Sequence, residues 1–209
     1  STKLDINKIS SVLDIGSGNA SLVIELKNNN SKINYDIVEP DKFIFSNNSK
    51  YIRNIFTDID NIKNEKYDLI IVNFVMEHLI DPLTFMKKIR MILKKNSHVY
   101  IEIPNSEYLY KKSYTPHLFF WNLESFKFFI KVVNFKIIYA STFGMKFNDA
   151  SLFFNHKGLL SKLFNFKSYK DKILRFLFPE KYIRNSDLFK NLNSSNGDRN
   201  WIKVLINNE

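Results

Sequence analysis

The segment VLDIGSGNASL, residues 12–22, is the stretch from which the fold is most easily predicted. Residues 12–15 are mostly apolar, as in a buried strand, and two of the five glycines of the chain follow as Gly16 and Gly18. Glycine tolerates left-handed turns and lets a ligand come close to the backbone. The helix predicted over 19–28 would present free N–H groups to an anionic part of that ligand. We therefore expect a strand, a ligand-binding turn and a helix, the alternative being a tight turn without a ligand.

Apolar runs and helical patterns alternate on the carboxyl side of this segment. Further strands are predicted at 33–38, 51–56, 68–73, 99–103, 135–140 and 201–206. Asp81 followed by Pro82 is typical of a helix start, and Asn122 can cap another helix. This alternation predicts a doubly wound, parallel α/β sheet. Ligands of such sheets bind beyond the carboxyl ends of the strands.

Composition excludes several classes of protein. The 209 residues are 44% hydrophobic, so the chain is not disordered. The absence of cysteine excludes a disulfide framework, a thiolate metal site and a cysteine nucleophile. The net charge of +10 is concentrated in residues 144–209, with 12 Lys and Arg against six Asp and Glu. We attribute this positive charge to a lysine-rich surface rather than to nucleic-acid binding. Without a signal-like start or a long apolar run, the protein is expected to be cytoplasmic.

The acidic residue Asp14, two positions before the first glycine, indicates the class of ligand. A dinucleotide fingerprint, G-x-G-x-x-G, would require glycine where Ser21 stands, which disfavours an NAD-dependent enzyme. A carboxylate at residue 14 can instead organise a loop that holds an ammonium group. A cofactor with a cationic end is therefore favoured.

At these residues the sequence resembles the class I S-adenosylmethionine-dependent methyltransferases. Their first motif has the form acidic-x-Gly-x-Gly-x-Gly, and VLDIGSGNA matches it except that Ala20 replaces the last glycine. The resemblance implies a Rossmann-like α/β fold with a mostly parallel, seven-stranded sheet whose last strand is antiparallel, and a helical insert before that strand. The implied domains are a cofactor-binding core over 1–143, an insert over 144–199 and the last strand of the core over 200–209.

A second stretch narrows the resemblance. Residues 67–105, YDLIIVNFVMEHLIDPLTFMKKIRMILKKNSHVYIEIPN, resemble the small-molecule branch of the family, which includes enzymes of quinone biosynthesis and of capsule or surface-polysaccharide modification. The Glu77-His78 pair and the Asp81-Pro82 helix start stand at family positions. Asn73 is not followed by Pro-Pro-aromatic, so the amino-group methyltransferases of DNA and glutamine are disfavoured.

The resemblance also implies the cofactor and its binding residues. S-adenosylmethionine would be the methyl donor and S-adenosylhomocysteine the product. Glu39 would bind the ribose hydroxyls, Asp58 the adenine amino group, and Asn73 with Phe74 the methionine end. The implied cofactor-binding residues are Asp14, Gly16, Ser17, Gly18, Glu39, Pro40, Asp58, Ile59, Asn73 and Phe74.

Catalysis requires little from the protein beyond alignment, because methyl transfer from a sulfonium is an in-line displacement. A hydroxyl acceptor also needs a base, for which His117 is the first candidate and His78 the second. The alternatives are that His117 fixes its loop and that His78 is a structural partner near the cofactor. Candidate substrate-binding residues are Tyr108, Tyr114 and His156. Because the four histidines at 78, 98, 117 and 156 lack metal-ligand spacing, no metal site is predicted.

The acceptor expected from the resemblance is a small molecule, with O-methylation of a sugar or phosphate-type group in capsule or surface-glycan biosynthesis. Methyl phosphoramidate decoration is one specific version. The basic insert could be a helical cover packed on the sheet or on a second subunit, a membrane-surface helix, or a wall for a phosphorylated or nucleotide-linked acceptor. Two other functions stay open: an RNA methyltransferase, suggested by the charge, and a cofactor-binding scaffold without catalysis.

Overall fold

The architecture is an α/β sheet with helices on both faces. The computed structural model describes residues 4–41, 46–111, 116–148, 193–194 and 199–208. Its helices are α1 (Leu22–Asn29), α2 (Pro82–Ile92) and α3 (Leu123–Val132). Its strands are β1 (Ser11–Ile15), β2 (Asn34–Val38), β3 (Ile55–Phe56), β4 (Tyr67–Asn73), β5 (Leu93–Pro104), β6 (Lys136–Lys146), β7 (Asn193–Ser194) and β8 (Arg199–Asn207).

The strands form one sheet in the order β3-β2-β1-β4-β5-β8-β6-β7. The pairs β1–β2, β1–β4, β2–β3 and β4–β5 are parallel, and β8 is antiparallel to both β5 and β6. The predicted seven-stranded, mostly parallel sheet with an antiparallel last strand is confirmed, and the two-residue β7 is added at the edge beside β6. The strand order reverses between β1 and β4, so the carboxyl ends of these two strands flank the position where such sheets bind ligands.

Side chains of the central strands alternate between two apolar layers. Leu13 and Ile70 belong to the layer that α2 and α3 cover, whereas Val12 and Leu69 belong to the layer that α1 covers. This alternation follows from the period of two residues in a strand. Both faces of the sheet are therefore buried, and the loops at its carboxyl edge are left to bind ligands.

The two longer helices begin where the sequence predicts. The Asp81 side chain accepts a hydrogen bond from the Thr84 N–H at 3.0 Å, with Pro82 in the first helical position of α2. Asn122 and Ser125 form a reciprocal capping box at the start of α3. Each cap satisfies N–H groups that have no partner within the helix.

The predicted strand at 51–56 is wrong for most of its length, because only Ile55–Phe56 pairs with β2. Ser46–Tyr51 form a 3-10 helix instead, and Arg53 turns towards β2 to form an ion pair with the fully buried Asp36. Asp36 also accepts a hydrogen bond from the Tyr67 hydroxyl at 2.8 Å. Paired and hydrogen-bonded on several sides, the buried carboxylate links β2, β4 and the chain that leads into β3.

Three strands are longer than predicted by at least three residues, and part of the predicted insert is not described. β5 begins at Leu93, β6 continues to Lys146, and β8 runs over Arg199–Asn207. Most of 144–199 lies outside the described residues, as do Tyr114 and His156. Among the helices of the described ranges, none is both long and apolar enough to cross a membrane.

Candidate active site

The turn after β1 has the backbone conformation that its glycines allow. Gly16 and Gly18 have φ of 68° and 52°, and Ala20 has φ of 50°. A left-handed conformation costs a residue with a Cβ roughly 1–2 kcal/mol. This cost explains why the family that the sequence resembles has glycine at the position of Ala20. The Gly16 N–H donates to the Val38 carbonyl at 2.9 Å and so joins the turn to the end of β2.

The two glycines face different surroundings. A Cβ added at Gly16 would overlap Cγ2 of Val75, which follows β4. A Cβ added at Gly18 would meet no atom within 4 Å. Glycine at residue 16 therefore leaves room for the Val75 side chain, whereas Gly18 borders open space that a ligand can fill.

Glu39, at the end of β2, is held against this turn. Its Oε2 accepts a hydrogen bond from the Gly18 N–H at 2.8 Å, and its Oε1 accepts one from the Asp41 N–H at 3.1 Å. Each carboxylate oxygen has a second lone pair. Glu39 can thus accept further hydrogen bonds, as the predicted ribose contact requires.

The carboxyl ends of β1 and β4, with the glycine turn and Glu39, border the crevice in which we place the ligand. Two buried polar atoms there have no hydrogen-bond partner among the described residues. They are Ser17 Oγ, in the glycine turn, and Asn73 Oδ1, at the end of β4. Buried polar groups are nearly always hydrogen-bonded, so an unpaired one indicates a missing ligand or water. Both atoms belong to residues predicted to bind S-adenosylmethionine, and the turn therefore fits a polar cofactor.

Asp14 lies beneath the turn and is almost completely buried. The Tyr35 hydroxyl donates a hydrogen bond to Asp14 Oδ2 at 2.5 Å. Burial raises the pKa of Asp14 to about 7, with the Glu39 charge contributing and the Tyr35 hydrogen bond opposing the change. The carboxyl is therefore poised to lose its proton when a cationic group approaches.

The Asp14→Asn variant should lose part of the pH dependence of folding stability. The pKa of Asp14 lies above its usual 3.8, so its protonation stabilises the folded state; this contribution is complete below about pH 4 and is lost as pH rises through 7. The variant should gain stability relative to wild type by up to about 1.4 kcal/mol per pH unit in that window. Urea unfolding from pH 4.5 to 8 measures the difference. The exposed-carboxylate control Glu124→Gln should follow wild type, and a wild-type profile for Asp14→Asn would contradict the assignment.

The other predicted cofactor residues lie at the same edge of the sheet. Phe74 has φ of 54°, and its N–H donates to the Glu102 carbonyl at 2.9 Å. Strained residues of this kind gather at ligand sites. Asp58 caps a 3-10 helix at Ile59–Asn61, with its Oδ1 accepting from the Asp60 N–H. Asp58 therefore has a structural role in addition to its predicted adenine contact.

A group of titratable side chains lies next to this crevice. Glu77 and His78 are on the 3-10 helix Met76–His78, which begins three residues after Asn73. His117 comes from the loop before α3, and its ring centroid lies 4.7 Å from that of His78. The Leu118 N–H donates to the Glu77 carbonyl at 2.7 Å and fixes this loop. Both predicted base candidates are thus brought together.

The buried Glu107 holds His117. Glu107 Oε2 pairs with His117 Nδ1, and Glu107 Oε1 pairs with Lys111 Nζ. Burial raises the pKa of Glu77 to about 8, with the Glu107 charge contributing. Burial and the neighbouring His117 lower the pKa of His78, so this imidazole is neutral at neutral pH.

Sequence reasoning missed some partners in this site. Tyr108 is half-exposed, whereas Glu107, one residue earlier, is buried against His117. The acidic residue after β5 was a weak signal in the sequence. Its pairing with a histidine ten residues later depends on the path of a loop and could not be inferred from spacing. Tyr35 was missed as the partner of Asp14 for a similar reason.

Known proteins share this architecture. The chain matches a family described as a methyltransferase domain over residues 3–139. A methyltransferase from Archaeoglobus fulgidus described as SAM-dependent superposes with a TM-score of 0.58 at 15% identity, covering 96% of this chain and 87% of that one. The O-methyltransferase of a Brevibacillus brevis trans-AT polyketide synthase, solved with S-adenosyl-L-homocysteine, superposes with a TM-score of 0.61 at 12% identity. The match covers 98% of this chain and 68% of that one.

A third solved structure is similar to the same extent. The plantazolicin methyltransferase BamL, solved with a triazolic desmethylPZN analogue and SAH, gives a TM-score of 0.59 at 16% identity, covering 96% of this chain and 78% of that one. The search of curated proteins finds no match. The family match spans most of the described core, including the glycine turn and β4, and it confirms the predicted enzyme class. The predicted cofactor, S-adenosylmethionine, agrees with the S-adenosylhomocysteine bound in two of these solved structures. The chain belongs to the methyltransferase domain family.

Proposed function

We propose that this methyltransferase transfers the methyl group of S-adenosylmethionine to an oxygen atom of a small acceptor, with His117 as the base. The observation that carries the proposal is the pairing of His117 Nδ1 with the buried Glu107. A carboxylate at Nδ1 orients the ring and keeps the proton on that nitrogen, so that Nε2 is free to accept another. His117 stands beside the helix that follows Asn73 and Phe74, the residues assigned to the methionine end of the cofactor.

The cofactor supplies an activated methyl group on a sulfonium, and this chain aligns and deprotonates the acceptor. His117 Nε2 takes the proton of the acceptor hydroxyl. The bound cofactor would supply the methyl group to that oxygen, and the electron pair of its carbon–sulfur bond would stay on sulfur. Glu107 stabilises the imidazolium that results. His78 is the second candidate for the base or for an acceptor contact.

The cofactor-binding part of the proposal rests on the turn after β1 and the adjoining strand ends. Gly18 leaves open space, Ser17 Oγ and Asn73 Oδ1 are unpaired among the described residues, and Glu39 borders the same turn. We assign Glu39 with Pro40 to the ribose. The remaining assignments are Asp14 and Gly16 as the floor and turn of the site, Asp58 and Ile59 beside the adenine, and Phe74 at the methionine end.

The acceptor that we favour is a sugar or phosphate-type group in capsule or surface-glycan biosynthesis, with methyl phosphoramidate decoration as a narrower version. One similar structure is described as an O-methyltransferase, which supports transfer to oxygen. The basic composition of 144–209 supports an anionic or nucleotide-linked acceptor, for which Tyr108, Tyr114 and His156 are contact candidates. A cytoplasmic location belongs to this proposal, because charged nucleotide-linked precursors do not cross membranes unaided.

The test is formation of S-adenosylhomocysteine from S-adenosylmethionine in the presence of a panel of acceptors. The panel contains free sugars, phosphorylated sugars, nucleotide-linked sugars and a single-stranded RNA. Turnover on a sugar compound, with the product heavier by one methyl group, supports the proposal. Turnover on RNA alone favours the RNA methyltransferase, and cofactor binding without turnover on any acceptor favours the scaffold.

A further inference from the structure

Three side chains near the proposed acceptor site offer ligand atoms to a common point. One such atom from each of Glu77, His78 and His117 lies within 4.8 Å of the other two. Two imidazoles and one carboxylate form a donor set that several Zn²⁺ enzymes use, with a fourth position open to water or substrate. The sequence spacing did not indicate this set, because His117 stands 39 residues after His78 and reaches it only through the loop before α3.

Both imidazoles are held in a state that leaves one nitrogen free to bind a metal. His117 Nδ1 pairs with Glu107, and because an ionised carboxylate only accepts hydrogen bonds, Nδ1 is the donor and the lone pair lies on Nε2. The Pro116 backbone also interacts with the His78 ring, and because proline has no N–H, the group that can accept a hydrogen bond from the ring is the Pro116 carbonyl oxygen. Metal-binding histidines usually donate their second ring nitrogen to a carboxylate or a backbone carbonyl in this way. His117 has the Glu107 carboxylate in this role, and His78 has the Pro116 carbonyl.

The buried side chain of Glu77 also indicates a bound cation. Its side chain is 1% exposed, and its Oε2 has no hydrogen-bond partner among the described residues. An unpartnered buried carboxylate oxygen costs the folded state free energy. The ring nitrogens of His78 and His117 are close but are already oriented by Pro116 and Glu107. A cation bound between the three groups would satisfy the oxygen and use both free nitrogens.

The ring geometry fits a common metal ion. With Zn–N bonds of about 2.0–2.1 Å, each ring centroid lies about 3.2 Å from the metal, and bond angles of roughly 90–109° then set the centroids about 4.5–5.2 Å apart. The observed separation is 4.7 Å with an interplanar angle of 77°. Tetrahedral ligand atoms would be about 3.3 Å apart, so binding would draw the side chains together from their present spacing of up to 4.8 Å.

We propose that Glu77, His78 and His117 bind one divalent transition-metal ion of the Zn²⁺ type, with Glu107 and the Pro116 carbonyl orienting the two histidines. Nitrogen ligands favour Zn²⁺ and its neighbours over Mg²⁺, which prefers oxygen ligands. The three protein ligands leave a fourth position that an oxygen atom of another molecule can occupy.

The consequence for methyl transfer rests on the proposed function. An acceptor hydroxyl in the open position would be acidified by the metal and would lose its proton to solvent. The oxygen would then form the bond to the methyl carbon as the carbon–sulfur bond breaks. The Nε2 lone pair of His117 binds either a metal or a proton, so His117 is the base only in the metal-free protein, and in the metal-bound protein the metal activates the hydroxyl.

The experiment titrates Zn²⁺ into the full chain after chelator treatment, by calorimetry, without cofactor or acceptor. One equivalent should bind with a Kd in the micromolar range or tighter, and Mg²⁺ should not compete. Co²⁺ should give the intense visible absorption of a four- or five-coordinate site. Because neither measurement needs methyl transfer, failure of this proposal and failure of the proposed function are distinguishable.

Three variants locate the site. Glu77→Gln and His117→Ala should each weaken Zn²⁺ binding by at least about 100-fold, and Glu107→Gln by roughly 10–100-fold as an orienting partner. The control is His98→Ala, which removes a histidine of β5 that pairs in register with Leu69 of β4 and lies outside the group of three ligands; its Zn²⁺ affinity should stay within about threefold of wild type. Urea unfolding of each variant checks that it folds, and Glu77→Gln keeps the size of the side chain. Absence of one-equivalent Zn²⁺ binding, or equal affinity in Glu77→Gln and wild type, would overturn the proposal.

Discussion

His117→Ala is expected to lower kcat for methyl transfer by at least about 100-fold, the range that a positioned base contributes. The S-adenosylmethionine Kd should remain within about threefold of wild type, because His117 lies on the loop before α3 and not in the glycine turn. Both proposed roles of His117, base and metal ligand, require this split between turnover and cofactor affinity. A time course of product formation measures kcat, and calorimetry on the same preparation measures the S-adenosylmethionine Kd.

The controls for His117→Ala separate its two roles. His98→Ala removes a histidine of β5 that lies six residues before the carboxyl end of the strand and should leave kcat unchanged. If His117 acts as the base, chelator-treated wild type retains its activity; if it acts as a metal ligand, activity falls and returns with Zn²⁺. Equal losses of turnover and cofactor affinity in His117→Ala, or unchanged turnover, would refute the assignment.

Gly18→Val is expected to weaken S-adenosylmethionine binding by at least about 100-fold, about 2.7 kcal/mol. The added Cβ meets no protein atom within 4 Å, so the side chain would project into the open space assigned to the cofactor. The positive φ of 52° adds a folding cost of roughly 1–2 kcal/mol that does not itself prevent binding. Calorimetric titration together with urea unfolding separates the two effects.

The matched control for Gly18→Val is Asn96→Val, because Asn96 has φ of 59° and lies in the first half of β5. It places the same side chain at a similar positive φ, away from the glycine turn, and should leave cofactor affinity unchanged. Gly18→Val that binds S-adenosylmethionine as tightly as wild type would show that the open space beside Gly18 is not part of the cofactor site.

The regular parts of the fold were predictable because burial and local backbone chemistry determine them. The apolar run at 68–73 became β4 with one more residue, and the Asp81-Pro82 pair began α2 as expected. β3 is shorter than predicted because Arg53 turns to pair with Asp36, a contact between distant residues that local sequence does not reveal. The start of β5 at Leu93 was missed because the next three residues, Lys94, Lys95 and Asn96, are polar and partly or fully exposed and so lack the apolar pattern of a buried strand.

The site was predictable where it follows from one turn and not where it depends on the path of a loop. Gly16 and Gly18 have the positive φ that their type suggests, and Glu39 reaches the same turn from the neighbouring strand. The contacts of Glu107 with His117 and of His117 with His78 instead arise from the loop before α3. A search for metal-ligand spacing therefore could not find them.

Calorimetric titration of the protein with S-adenosylmethionine and S-adenosylhomocysteine, with NAD as the control, tests the central claim most directly. The crevice formed by the glycine turn, Glu39 and Asn73 predicts that both sulfur compounds bind with one site per chain and micromolar Kd, and that NAD does not bind. Absence of binding by either sulfur compound, or equal binding of NAD, would contradict the assignment of this crevice to S-adenosylmethionine.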